Sequence, residues 1–253
     1  SYLNQKKYAS LAQMIDQKKY EKEKVLKRKD DGNPDHDKDD YNIVADNIVG
    51  NNEDHVNTPE ILPEFTELYE KNNQMIGWLT IPDTIINYPV MQGEDNDYYL
   101  NHDFYGEISK HGSLFLDYQC DVLLPNTNLI IYGHNMKDGT MFSGLRKYKD
   151  KSYYEEHKTI AFDTIYEKGQ YEIVAVFLSK VYLKNQDVFK YYQFIQASTE
   201  EEFYYFYDNI KKLSLYETGV KAEYGDLFLT LSTCDYTTED GRLVVVGKKK
   251  QNH

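Results

Sequence analysis

Cys234 closes the segment Thr230-Leu231-Ser232-Thr233-Cys234, in which the apolar run 227–231 reads as a buried strand with a thiol at its rim. A nucleophile held by a rigid strand is well placed for attack. A second buried run, Leu129-Ile130-Ile131-Tyr132-Gly133-His134-Asn135, ends in a histidine, and Gly133 lets backbone or ligand approach closely. Arg242 follows Cys234 by eight residues and opens the apolar run 243–246. If the turn 235–241 joins two adjacent strands, the guanidinium comes near the sulfur. These three groups suffice for acyl transfer. The thiolate attacks a carbonyl, and the imidazole protonates the departing amine and later deprotonates the incoming one. The guanidinium, planar and permanently charged, donates to the carbonyl or the developing oxyanion. Taken singly, each residue also has an ordinary structural reading, since a cysteine ending an apolar strand is commonly a buried thiol.

The elements that must carry these groups are short β-rich runs separated by turn residues, at 77–81, 85–90, 113–118, 128–132, 159–165, 171–181, 227–233 and 242–248. Eight such runs point to a barrel or sandwich. Between the sixth and seventh lies a stretch of other character, 187–216. There Ser198 and Glu201 read as a capping box ahead of Phe203, Phe206, Tyr207 and Ile210 at helical spacing, so a long inserted helix is expected. Leu11, Met14, Ile15, Val25 and Leu26 among charged residues give 4–29 the pattern of an amphipathic helix. Residues 30–58 are polar and read as a linker. A short helix is expected from Thr58, with its hydroxyl as cap and Pro59 at the first helical position, to about Asn72. The expected organisation is an N-terminal helical appendage and linker over 1–58 and a catalytic domain over 59–253.

A net charge of −13 argues against nucleic acid as a partner, because such binding requires a basic surface to displace counterions. The 25 tyrosines suit a groove for extended amphipathic ligands, although strand faces that are partly buried account for most of them. Two cysteines are too few for a disulfide scaffold and lack zinc-site spacing, so Cys120 and Cys234 either pair or one is chemically active. The acidic residues of 30–40 read as linker solvation and not a calcium site, so no metal or other cofactor is expected. No run of about 18 apolar residues occurs. A membrane anchor would therefore precede Ser1.

Five ordered segments give the chain a resemblance to the sortase family over 76–248. Ile76-Gly77-Trp78-Leu79 with Ile81-Pro82, and Asn87-Tyr88-Pro89-Val90-Met91-Gln92-Gly93, resemble the family's first two barrel strands. Tyr132-Gly133-His134 and Leu231-Ser232-Thr233-Cys234 resemble its catalytic segments, and Arg242-Leu243-Val244-Val245 its arginine strand. The resemblance implies a mainly β fold with added α, an eight-stranded sortase β-barrel with N-terminal helices and a long helix between strands six and seven. It also implies a catalytic set of His134, Cys234 and Arg242 working through a thioacyl enzyme, with Cys120 a structural thiol.

The appended helices resemble those of class B sortases, as does Asp95-Asn96-Asp97-Tyr98-Tyr99-Leu100. That likeness implies that Asn96, Leu100, Tyr132, Ser232 and one of Tyr191 or Tyr192 contact a C-terminal sorting signal of LPxTG, NPxTN or PPxTG type. The implied acceptor is an amine of a peptidoglycan precursor or cross-bridge, and the implied location is the outer face of the cell membrane, reached through the N-terminal anchor. The turn 235–241 is shorter than expected of class B relatives, which leaves the role of Asp235 open. Competing readings are a pilin-polymerising sortase, an inactive peptide-binding surface module and an unrelated hydrolytic cysteine peptidase.

Overall fold

Alternating apolar runs build a closed eight-stranded barrel in the computed structural model, which describes residues 2–30, 59–124 and 126–251. The strands are β1 (Met75–Thr80), β2 (Asn87–Met91), β3 (Leu114–Leu116), β4 (Asn128–Tyr132), β5 (Thr159–Thr164), β6 (Gln170–Lys180), β7 (Phe228–Cys234) and β8 (Gly241–Lys249). Their order around the barrel is β1-β2-β3-β4-β7-β8-β6-β5. Closure leaves no open sheet edge among the described strands. β2 pairs with β3, and β4 with β7, in parallel; the other neighbours are antiparallel.

β7 and β8 are buried on both faces, which explains why they read as continuous apolar runs. Leu229, Leu231, Leu243 and Val245 point into one cluster with Ile131 and Leu114. Phe228, Val244 and Val246 point the other way, onto Phe203, Phe206 and Ile210 of the helix α4 (Glu200–Leu213), which comes after the short α3 (Lys151–Glu156) in the chain. The N-terminal helix α1 (Tyr2–Asp30) lays Tyr8, Leu11 and Ile15 on the core, with Met14 half-buried beside them. Tyr8 also donates to the Gly112 carbonyl at 3.0 Å and meets Tyr88 edge-on at 5.3 Å. Burying such side chains stabilises the attachment by roughly 1.5–3 kcal/mol each. The side chains of Val25 and Leu26, the linker 31–58 with its acidic stretch, the proposed Thr58 cap and the domain boundary there lie outside the described residues.

Two helix expectations are corrected. α2 runs over Pro63–Lys71, and Pro59, expected at the first helical position, lies outside any helix. A helix begun at Pro59 would carry Pro63 in its interior, where the ring removes a hydrogen bond and clashes with the preceding turn. Leu62, before the proline, is extended at φ −58° and ψ 132°, and its N–H donates to the Ile165 carbonyl at 2.7 Å. The insertion 187–216 is not one long helix. It contains a 3-10 turn at Tyr191–Gln193 and then α4, whose cap is Thr199 and not Ser198. Thr199 Oγ1 accepts from the Glu202 N–H at 3.2 Å, while Glu202 reaches back to the Ser198 N–H at 2.7 Å, so the box sits one residue later than expected. Among the strands, β3 stops at Leu116 because Asp117 turns the chain: its carboxylate accepts from Gln119 N at 3.0 Å and its carbonyl from Cys120 N at 2.9 Å. β2 starts at Asn87, after a turn in which Thr84 Oγ1 accepts from Ile86 N at 3.1 Å.

Candidate active site

Three neighbouring strand ends carry the thiol, the imidazole and the guanidinium. β4 and β7 run in parallel with a constant offset of 100 residues, from Asn128 opposite Phe228 to Tyr132 opposite Ser232. Past the last pair, Gly133 N donates to Ser232 O at 3.2 Å and Thr233 Oγ1 donates to Gly133 O at 2.7 Å, which carries the alignment on to His134 and Cys234. On the other side of β7, Cys234 stands directly opposite Arg242. A Cβ at position 133 would overlap Leu114 and the ring of Phe142, so this close approach requires glycine.

Alternation selects the face. On β7, Thr230 turns its hydroxyl to Asn128 and Ser232 turns its own to Tyr191, so Cys234, two residues further on, points out of the barrel. There an open groove of about 570 Å³ is lined by Cys234, His134 and Arg242 together with Asn96, Leu100, Tyr132, Ser232, Tyr191 and Tyr192. All nine residues singled out in the sequence thus meet in one groove. A larger hollow of about 650 Å³, beside Ser143 and Lys147, has neither thiol nor imidazole in its lining. Chemistry rather than size picks out the groove.

Local hydrogen bonds set the state of each group. His134 Nε2 lies 2.7 Å from the Leu100 carbonyl, which can only accept, so Nε2 carries a proton and Nδ1 is the ring nitrogen left to give or take one. Arg242 Nη1 donates to Gly241 O at 2.9 Å and Asp240 O at 3.2 Å. Among the described residues no protein acceptor bonds its Nε or Nη2, which leaves those donors for a ligand. Asn135 Nδ2 donates to the Cys234 carbonyl at 2.8 Å, and Tyr236 donates to the Asn135 carbonyl at 3.3 Å, tying the two strand ends together.

The walls are equally constrained. Tyr191 is buried, and its hydroxyl and that of Ser232 are 2.7 Å apart. Burial pushes the Tyr191 phenol up to about 12, against the Ser232 hydrogen bond and the Arg242 charge, so it stays neutral. Tyr132 and Asn96 both donate to one oxygen of the buried Asp117 carboxylate, at 3.0 and 2.9 Å. Burial first, and then the Asp117 charge, drives the Tyr132 hydroxyl far above its ordinary value. Tyr192 accepts from Tyr182 N at 3.0 Å. Tyr191 and Tyr192 lie in the separate 3-10 turn and not at the start of α4. Fixed aromatic faces with a few polar atoms suit an extended peptide.

Sequence reasoning assigned no role to Asp117, Asn135, Phe115 or Val181. The signal for Asp117 was an acidic residue directly after the apolar run Leu114-Phe115-Leu116, and for Asn135 an amide next to His134. Both cysteines are free. Cys120 is buried with Sγ 3.6 Å from Asn128 O, and burial raises its thiol to about 12, so Cys120 is protonated and unreactive near neutrality. Among the described residues, no group of three or more His, Cys, Asp or Glu is arranged to hold a metal ion.

The family described as Sortase domain matches residues 79–250. A protein named Sortase B from Listeria monocytogenes serovar 1/2a is 40% identical over 191 residues, covering 75% of each chain. Among solved structures, sortase B from B. anthracis in complex with AAEK2 superposes with a TM-score of 0.75 at 30% identity, covering 100% of this chain and 98% of that one. A Staphylococcus aureus sortase B-substrate complex gives a TM-score of 0.71 at 28% identity, covering 97% and 95%.

Proposed function

The chain belongs to the sortase family as a cysteine transpeptidase of the sortase B type, and from that premise we propose that Cys234, His134 and Arg242 carry its reaction on a C-terminal sorting signal. The observation that supports this is the alignment of the three residues at one level, on one outward face, across β4, β7 and β8.

The Cys234 thiolate attacks the scissile carbonyl, and the carbonyl π pair moves onto oxygen. Arg242 Nε or Nη2 donates to that oxyanion. Protonated His134 gives its Nδ1 proton to the departing amine as the C–N bond breaks, leaving a thioester on Cys234. An incoming amine then attacks the thioester, His134 takes its proton, and the tetrahedral intermediate collapses to an amide with release of the thiolate. The fixed Nε2 bond to Leu100 keeps Nδ1 turned to this task through both halves.

The signal is a five-residue motif of LPxTG, NPxTN or PPxTG type, held in extended form by Asn96, Leu100, Tyr132, Ser232, Tyr191 and Tyr192. The acceptor is an amine of a peptidoglycan precursor or cross-bridge. The catalytic domain spans 59–253, and residues 1–58 lead back to a membrane anchor on the outer face of the cell. No described helix is itself long and apolar enough to cross a membrane.

A panel of internally quenched peptides carrying the three motif types, with and without triglycine, tests this reading. Cleavage of at least one peptide, with a triglycine adduct seen by mass spectrometry and no cleavage by Cys234→Ala, is the expected result. If the folded, reduced enzyme cleaves none of the panel, the sorting-signal reading is wrong. A product formed only with a pilin lysine as acceptor would reassign the partner.

A further inference from the structure

Asp235 directly follows Cys234 and is only 4% exposed, yet it does not line the groove. Its carboxylate forms an ion pair with Lys149 and accepts hydrogen bonds from the Thr237 hydroxyl and, at 3.1 Å, the Thr237 N–H. The reacting imidazole is not among its partners, since His134 Nε2 is taken by the Leu100 carbonyl.

Through its backbone Asp235 reaches Arg242. The Asp235 N–H donates to the Gly241 carbonyl at 2.9 Å, and the same carbonyl accepts from Arg242 Nη1 at 2.9 Å. The approach is close enough that a Cβ on Gly241 would overlap the Asp235 carbonyl. The turn between these residues needs holding: Tyr236 is exposed, and Asp240 sits at φ +53°, a region costly for a residue with a side chain. Lys149 is a firm base for it. It ends the 3-10 helix Phe142–Lys149, whose Phe142, Leu145 and Tyr148 are fully buried, and Tyr216 donates to the Tyr148 carbonyl at 2.7 Å.

We propose that the Lys149–Asp235 ion pair is a positioning device for Arg242, clamping the β7–β8 turn so that the guanidinium faces the groove beside Cys234. Asp235 is thus a positioning residue that acts through the turn, and not a partner of the imidazole. The inference rests on the reading of Arg242 as donor to the substrate carbonyl. A donor displaced by about 1 Å can cost on the order of 100-fold in rate. Lys149 lies far away in sequence from the groove residues it serves.

The test uses the full chain and measures kcat and KM for a cleaved donor peptide alongside the rate of Cys234 alkylation by iodoacetamide. Lys149→Met and Asp235→Asn should each lower kcat about 10- to 100-fold with KM within about twofold. The double variant should lose no more than the worse single one, and Lys149→Arg should recover kcat to within about threefold of wild type. Alkylation should keep its wild-type rate in all of them, because the thiol and imidazole are untouched. In an Arg242→Ala background, Lys149→Met should add nothing. Wild-type kcat in Lys149→Met, or an alkylation rate that falls in step with kcat, overturns the clamp. Should Asp235→Asn fail to fold, the Lys149→Met and Lys149→Arg pair still decides, since Lys149 is one-third exposed. Wild-type kcat in Arg242→Ala would instead remove Arg242 from the reaction, and with it the premise.

Discussion

Cys234 and Arg242 face each other as a direct pair on the antiparallel β7–β8 ladder. Side chains so paired start from Cβ atoms about 4.5–5.5 Å apart, the spacing that the proposed reaction needs for a guanidinium to reach the oxygen of a carbonyl attacked by the sulfur. The pair also explains the short turn 235–241: it need only return the chain by one strand.

Arg242→Lys preserves the charge but replaces the planar fork with a point donor. We expect kcat for donor-peptide cleavage to fall about 100-fold while KM changes by less than about threefold, in the range of a lost oxyanion donor. Steady-state kinetics on a quenched peptide give both numbers. A loss seen in KM alone would assign Arg242 to ground-state binding.

Tyr191→Phe removes one hydroxyl from the buried Ser232 pair and leaves the Ser232 hydroxyl short of a partner. A stability loss of about 1 kcal/mol is expected by urea unfolding, together with a raised KM for the peptide. An unchanged KM would make Tyr191 purely structural.

Cys120 and Cys234 should differ in reactivity as sharply as in burial. Burial holds the Cys120 thiol up at about 12, so it stays protonated at any pH where the protein is handled. Peptide mapping after iodoacetamide treatment should find Cys234 labelled in the native protein and Cys120 only after denaturation. Cys120→Ala should retain full peptide cleavage.

Asp138 lies in the loop after His134. Its carboxylate accepts from Thr140 Oγ1 at 2.6 Å and pairs with His111 Nε2 at 2.8 Å. The Thr140 hydrogen bond first, and then His111, holds its pKa down at about 2. A depressed folded value means that the stabilisation is complete above the unfolded value near 4 and drains away as pH falls towards 2. Asp138→Asn should therefore be less stable than wild type at neutral pH, by no more than about 1 kcal/mol for so exposed a group. The gap should narrow between about pH 4 and pH 2 in urea titrations. A gap that is constant over that range would show that the carboxylate charge contributes nothing.

Much of the groove was legible because its signals are local. The apolar runs ending in His134 and Cys234 and the strand opening at Arg242 can be read from neighbours along the chain, as can the helical spacing of Phe203, Phe206 and Ile210. Boundaries set by competition were not. Ser198 and Thr199 are both good caps, and the choice fell to the one whose hydroxyl meets the Glu202 N–H. Pro59 and Pro63 can each start a helix, but only a start at the later one keeps proline out of the interior.

By itself, the sequence determined which residues could react and that each closes or opens a strand, because hydrophobic period and turn chemistry act over a few residues. Only the tertiary structure decided that β4 lies parallel to β7 at an offset of 100, with His134 brought level with Cys234 after the chain has passed through two other strands and α4. It likewise decided that Asp117 holds Asn96 and Tyr132, and that Lys149 holds Asp235. The physical reason is that strand pairing and the burial of charge are settled by closure of the whole barrel, whose partners are distant in sequence and leave no periodic trace in it.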